Sequence, residues 1–316
     1  MNDQPEGIAT DVGLVSVALI WGVNFAVMKV VLAEIDPLAL NALRFPLAAV
    51  ALAIVLRRFP GPTLPDPSDR IRVLSLGLVG NVAYQLCFIF GLDWTLAGNA
   101  SLLLATTPTW TLVLSIAVGH ERATIGAILG VVVTLSGVAM VVLGRGDALA
   151  VGGETLAGDA LMLVAAVLWA FYTVAGRGPA LRYGSLRMTS WTLWVGTPVL
   201  VLLGAPSVAA ANLSEVSAGA WVGIVYAGLL SIGVAYVLWY RGVRRLGNSR
   251  TAVYSNLVPV TALLVAWLWL GEVPTPLQLS GAAVILAGLT LARVAQSPGS
   301  SLPWASIPAA RSDEVN

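Results

Sequence analysis

Residues 21–29 read WGVNFAVMK, and residues 169–177, 148 positions later, read WAFYTVAGR. Trp21 and Lys29 thus recur as Trp169 and Arg177 at the same spacing. A second register, at 151, extends the likeness. It pairs Gly91 with Gly242, Pro108 with Pro259, Glu121 with Glu272, Thr124 with Thr275, Gly130 with Gly281 and Gly137 with Gly288. A period this long marks a whole structural unit used twice, and we expect the copies to occupy residues 12–144 and 156–295.

What each copy contains follows from hydropathy. The 316 residues are 58% hydrophobic and 10% charged, with a mean hydropathy of +0.86, against the roughly 25% charged residues of a soluble domain. A bilayer core about 30 Å thick takes about 20 apolar residues per helix, because the backbone must satisfy its own hydrogen bonds there. Ten stretches qualify: 12–31, 38–56, 73–92, 97–118, 124–142, 158–175, 186–203, 220–240, 251–270 and 277–294. The expected fold is therefore an all-α membrane protein with ten transmembrane helices. Each repeat holds five, and an odd number of spans makes the second copy enter the membrane from the opposite face. Inverted repeats of this kind suit alternating access, with substrate near the midplane where the copies meet.

Basic residues set the orientation, since Lys and Arg in short loops stay on the cytoplasmic side. With the N-terminus inside, fourteen arginines fall in cytoplasmic segments and only Arg145 falls outside, while Lys29 and Arg44 lie within helices. Both termini are thus expected in the cytoplasm, in a multi-pass protein of the cell's inner membrane. No Lys or Arg precedes the first apolar stretch and no small-residue cleavage site follows it, so that stretch reads as a retained helix. Residues 296–316, rich in Ser, Pro and Ala, read as a disordered tail. Cys87, the only cysteine, allows no intrachain disulfide.

Several features together resemble the EamA family of the drug/metabolite transporter superfamily. These are the early Trp21 with Lys29 eight positions on, Pro108 in the fourth span and Gly119-His120-Glu121 at the next turn, mirrored by Trp169, Arg177, Pro259 and Gly271-Glu272. The resemblance covers residues 12–294. It implies ten helices with both termini cytoplasmic and export of amino acids or related metabolites, some members being exporters of aromatic amino acids. One position differs between the halves: Thr192 stands where the first repeat has Arg44.

Polar groups at mid-membrane depth are costly and mark a cavity or a partner helix. In the third span Asn81, Tyr84, Gln85 and Phe88 fall on one stripe of a 3.6-residue helix. Trp21 and Asn24 stand at similar depth, as do Trp169 and Tyr172. Tyr254 and Asn256 precede Pro259, and Ser101, Thr106 and Thr107 precede Pro108. Trp21, Asn24, Asn81, Tyr84, Gln85, Trp169, Tyr172, Tyr254 and Asn256 form the candidate substrate site; interhelical hydrogen bonding is the plain alternative for each. Aromatic faces with a few amides suit a bulky neutral zwitterion.

Pro108 and Pro259 each remove a helical hydrogen bond at matching places, so paired kinks and a hinge or gating role are expected beside simple bending. Lys29 and Arg44 read as charges toward the outer end, either pairing with Glu34 and Asp36 or steering a carboxylate along the exit path. Glu121 and Glu272, each just before a helix start, read as caps, with gating as the lesser alternative. The glycines of the fifth and tenth spans read as a close packing seam outside the substrate wall.

Enzyme readings lack the necessary residues. His120-Glu121 opens a HExxH pattern, but position 124 is Thr and no second histidine exists. No G-x-S-x-G elbow or phosphate-binding loop occurs, so no catalytic residue, metal or cofactor is assigned. A net charge of +1 with no basic stripe argues against nucleic acid. The expected partners are the lipid bilayer and a small amino-acid-like substrate. Rival functions are a multidrug exporter of aromatic cations, which would need a buried acid, and a non-transporting scaffold or sensor. With every acid read as near a helix end, flux is expected to run on the substrate's own gradient.

Overall fold

A computed structural model describes residues 4–120, 124–144 and 153–294. All regular structure in them is helical. Among the described residues nine helices are long and apolar enough to cross a membrane, and a tenth, shorter apolar helix completes the second repeat. In chain order they are α1 (Gln4–Leu32), α2 (Pro37–Leu56), α3 (Pro67–Trp94), α4 (Ala97–Ala117), α5 (Ile125–Leu143), α6 (Gly153–Tyr183), α7 (Ser185–Ala210), α8 (Ala218–Leu246), α9 (Asn248–Tyr254 continued by Leu257–Val265 and Ala266–Leu270) and α10 (Pro276–Val294). At 1.5 Å per residue, a helix of 29 residues such as α8 is about 43 Å long. It therefore outreaches the hydrocarbon core and projects a turn or two beyond each side, which is why the helices overrun the apolar stretches.

Pairing of the helices follows the repeat. α1 packs on α8 and α9, and its counterpart α6 packs on α3 and α4. The two remaining pairs are self-related, α2 against α7 and α5 against α10. A pseudo-twofold axis therefore runs between these pairs, as two inverted five-helix repeats require. The α5–α10 seam is drawn together by glycine. A Cβ on Gly137 would stand 2.8 Å from the Gly281 carbonyl oxygen, and one on Gly288 would stand 2.8 Å from that of Gly130. Only a hydrogen side chain permits such an approach.

The turns gather on two faces. An arginine-rich face carries the α2–α3 and α6–α7 connections, where Arg187 donates to the Phe59 carbonyl and Arg182 to Asp69. The opposite, arginine-poor face is tied across the repeats: Ser217 donates to Glu34 through its backbone N–H and its hydroxyl, each at 2.8 Å.

Two kinds of helix irregularity recur in both repeats. α3 and α8 each contain a π-helical stretch, Val79–Ala83 and Ala227–Val234, the kind of local widening often found at functional sites. α4 breaks between Leu104 and Thr107, and α9 between Tyr254 and Leu257, just before Pro108 and Pro259. Pro108 has no N–H for the Leu104 carbonyl, and the Thr107 hydroxyl takes that place at 2.6 Å. In α9 the Ser255 carbonyl, orphaned by Pro259, accepts from the Val258 N–H at 3.0 Å.

Candidate functional site

The halves meet around two pairs of equivalent residues. Trp21 and Trp169, 148 apart, stand edge to face with centroids 5.4 Å apart. Gln85 and Tyr236, 151 apart, are hydrogen-bonded at 2.7 Å. Beside them lies a cavity walled by α1, α2, α3, α4, α6, α8 and α9. Its volume is about 50 Å³, enough for about four waters at roughly 10–15 Å³ each. A bulky solute enters only if the aromatic walls part.

Of the nine sequence-predicted substrate residues, Trp21, Asn24, Tyr84, Gln85 and Trp169 line this cavity, with Phe88, Ser101 and Thr107. The other four stand apart. Asn81 is fully buried on the α7 side of α3, against Gly196. Tyr172 is also fully buried, its hydroxyl joined to Thr192 Oγ1 at 2.8 Å and its carbonyl accepting from Tyr240 at 2.6 Å. With Trp239, which donates to Thr173 Oγ1 at 3.1 Å, these rings form a layer between the cavity and the arginine-rich face. Tyr254 lies farther toward that face and donates to Asp11 at 2.6 Å. Asn256 sits in the break of α9.

Arg44 departs most from expectation. It does not pair with Glu34 or Asp36: Glu34 accepts from Ser217, and Asp36 caps α2 through the N–H groups of Leu38 and Ala39. Instead Arg44 is 1% exposed and lines the cavity, because its face of α2 turns inward toward α3. Its Nε and Nη2 donate to Asn41 Oδ1 at 3.0 and 2.8 Å, Nη2 also to Gln85 Oε1 at 2.7 Å, and Nη1 meets Met28 Sδ at 3.2 Å. All three partners are neutral.

Lys29 does lie at the arginine-poor end, but it meets carbonyls there. Its Nζ donates to Leu92, Asp93 and Thr95 at 2.8–2.9 Å, closing the C-terminus of α3. Glu272 caps a helix, though not its own: it accepts from the backbone N–H groups of Ala97 and Gly98, which open α4. The start of α10 is held by Thr275 and Gln278 in a reciprocal capping box. Thr124 caps α5 through the Ala127 N–H. Glu121, Arg145 and residues 296–316 lie outside the described residues. Asp159 corrects the reading of every acid as a helix-end group: it is 2% exposed, more than a turn inside α6, and accepts from the Thr95 hydroxyl at 2.8 Å.

Tyr236 and Ser231 are cavity residues that sequence reasoning missed. Ser231 lies in the π-helical stretch of α8, and its carbonyl accepts from the Trp21 indole at 2.9 Å. The 151 register would have found Tyr236 as the counterpart of Gln85. Among the described residues no cluster of three or more potential metal ligands occurs.

Ten helices in two inverted repeats around a shared aromatic cavity define the class: a multi-pass membrane transporter of the inverted-repeat type. The chain belongs to the EamA-like transporter family, which it matches over residues 9–143 and 156–294. It is 33% identical to a probable terminal-alkyne amino-acid exporter of Streptantibioticus cattleyicolor, over 88% of this chain and 91% of that protein. A probable amino-acid metabolite efflux pump of Salmonella typhimurium is 29% identical over 86% of this chain and 91% of its own length. A solved crystal structure shares the fold with a TM-score of 0.67 at 20% identity, covering 92% of this chain and 99% of that one.

Proposed function

We propose that this protein exports amino acids, bulky neutral or aromatic ones foremost, and that the cavity around Trp21 and Trp169 is the substrate site. The observation that carries this reading is that helices of both repeats wall one aromatic cavity, as alternating access between inverted halves needs. The names of the two relatives above point the same way. Pro108 and Pro259, at the breaks of α4 and α9, serve as hinges, and the aromatic layer of Tyr172, Trp239 and Tyr240 closes the path toward the arginine-rich face. That face lies in the cytoplasm of an inner-membrane protein by the charge rule. An aromatic cation would meet Arg44 and no carboxylate among the lining residues, which disfavours the multidrug reading.

Counterflow in proteoliposomes with labelled amino acids tests this. Flux should occur without an imposed pH difference or membrane potential. Trp169→Ala should weaken it, since losing one stacked ring removes about 1 kcal/mol of contact. Absence of flux for every amino acid, from folded protein, would reject the reading in favour of a scaffold or sensor. Uphill accumulation driven by a pH gradient would reject the gradient-driven scheme and make Asp159 the first proton site to replace.

A further inference from the structure

We infer that Arg44 and Asn24 are the two anchors of an α-amino acid head group, the guanidinium taking the carboxylate and the Asn24 side-chain oxygen taking the ammonium. This rests on the proposed substrate cavity and names the chemistry that it selects.

Arg44 first. A guanidinium stays protonated in proteins and offers five N–H donors with no acceptor. Asn41, Gln85 and Met28 satisfy four of those donors. Neutral acceptors meet the hydrogen-bonding demand and leave the charge uncompensated. Burying a charge is costly unless it is paired, and the cavity wall contributes no carboxylate. The remaining donor is on Nη1. A cavity that holds one buried cation and no anion is built to receive a negative group, which the free N–H meets in a charge-assisted hydrogen bond.

Asn24 supplies the second half. It is 4% exposed and lines the same cavity, and its Oδ1 is a buried acceptor with no hydrogen-bond partner. Such an orphan is uncommon and asks for a donor. Asn24 and Met28 are four residues apart on α1, which puts them about 5–6 Å apart on one face. Arg44 Nη1 touches Met28 Sδ at 3.2 Å. Both side chains line the cavity, and Met28, one helical turn along α1 from Asn24, touches the guanidinium, which brings the cation and the free acceptor to the same α1–α2 side of it. A zwitterion whose carboxylate and ammonium sit on one carbon fits that pair. Its side chain then faces Tyr84, Phe88 and Trp169.

Isothermal titration of the detergent-purified full chain with four probes tests the pair: L-phenylalanine, 3-phenylpropionate, L-phenylalaninamide and phenethylamine. The wild type should bind phenylalanine best and 3-phenylpropionate next. Phenylalaninamide and phenethylamine should trail by about tenfold or more, the worth of a charge-assisted hydrogen bond. Arg44→Met should abolish the preference for the acids, and Arg44→Lys should keep its sign at reduced size, since the ammonium keeps the charge without the fixed geometry of the guanidinium. Asn24→Leu should erase the advantage of phenylalanine over 3-phenylpropionate and leave that acid's own affinity in place.

Equal binding of acid and amine by the wild type overturns the proposal without need of any variant, so a poorly folding Arg44→Met does not shelter it. Binding of none of the four probes overturns it as well. So does an unchanged preference in Arg44→Met that melts as the wild type does. Counterflow separates this from the function proposed above. Head-group preference in binding with no flux leaves the anchors standing and removes the transport reading; equal flux of phenylalanine and its amide does the reverse.

Discussion

Gln85 and Tyr236 occupy equivalent positions of the two repeats and hydrogen-bond to each other at 2.7 Å, the Gln85 amide nitrogen donating to the tyrosine hydroxyl. Arg44 sets that direction. It has only donors, so it claims the Gln85 oxygen at 2.7 Å and turns the amide nitrogen toward α8. Tyr236→Phe leaves a buried N–H without an acceptor and should cost about 1–3 kcal/mol. Gln85→Leu should cost at least as much, because it strips a buried cation of an acceptor. The double variant should be less destabilised than the sum of the singles, since the two share one bond. Thermal melting in detergent reads all three, and strict additivity would show that the bond is not a unit.

Lys29 and Glu272 grip the two sides of the α3–α4 turn, one binding the last carbonyls of α3 and the other the first N–H groups of α4. Each charge complements the helix end it meets. Lys29 and the turn belong to the first repeat and Glu272 to the second, so the Glu272 contact spans the halves, and the grip is expected to hold the arginine-poor face shut. Lys29→Met and Glu272→Gln should each raise the labelling rate of a single cysteine at Ser101, on a Cys87-free background, by severalfold. An unchanged rate in both would mean that the turn does not hold this face closed.

The α5–α10 seam tolerates no added bulk. A Cβ at Gly137 would lie 2.7 Å from the Ile285 backbone nitrogen, so Gly137→Leu should destabilise by about 1–3 kcal/mol or more through overpacking. Leu135, 40% exposed on the same helix, serves as the control, and Leu135→Ala should melt near the wild-type temperature. Equal melting of both variants would show that the seam yields.

Glu34 gives the arginine-poor face a pH dependence. The Ser217 backbone N–H and then its hydroxyl favour the carboxylate form and hold Glu34 below the usual range. A depressed carboxylate value stabilises the fold above the unfolded value, about 4.3, and that contribution is lost as pH falls through the folded value. Hydrogen exchange in residues 211–218, corrected for intrinsic rates, should show protection at pH 7 that is lost by pH 3. Glu34→Ala, which leaves Ser217 no side-chain acceptor, should be unprotected at both; matching profiles for the two proteins would remove the carboxylate from the explanation.

Helix number and inversion were legible because span length and the 148 and 151 registers are one-dimensional signals. The glycines of α5 and α10 marked close packing for the same reason, but not that these two helices pack on each other. Half of the candidate site was also readable: Tyr84, Gln85 and Phe88 share a stripe, and that stripe faces the cavity. Arg44 was not. Its depth follows from counting along α2, but whether it snorkels outward or turns inward depends on which face α3 covers, and hydropathy does not encode that. Tyr172 and Asn81 sit at the expected depth yet pack behind the wall, because close approach at Gly80 and Gly196 draws those helices together. Glu272 shows the same limit, since its partners Ala97 and Gly98 belong to the other repeat.

Where Arg44's counterpart would stand, Thr192 instead joins the Tyr172 hydroxyl, so the duplicated halves are no longer interchangeable. When they trade shapes, the molecule does not become its own copy turned by half a rotation. A solute waiting on one side then meets a different half-saturation constant from one waiting on the other. In a carrier driven only by its cargo, detailed balance makes the ratio of maximal rate to half-saturation constant equal in both directions. Unequal tightness cannot choose the direction of net flow, which belongs to the concentrations alone. What it does choose is which side saturates first. A loosely binding entrance keeps throughput proportional to supply, and a cell clearing a metabolite that has begun to accumulate needs that response.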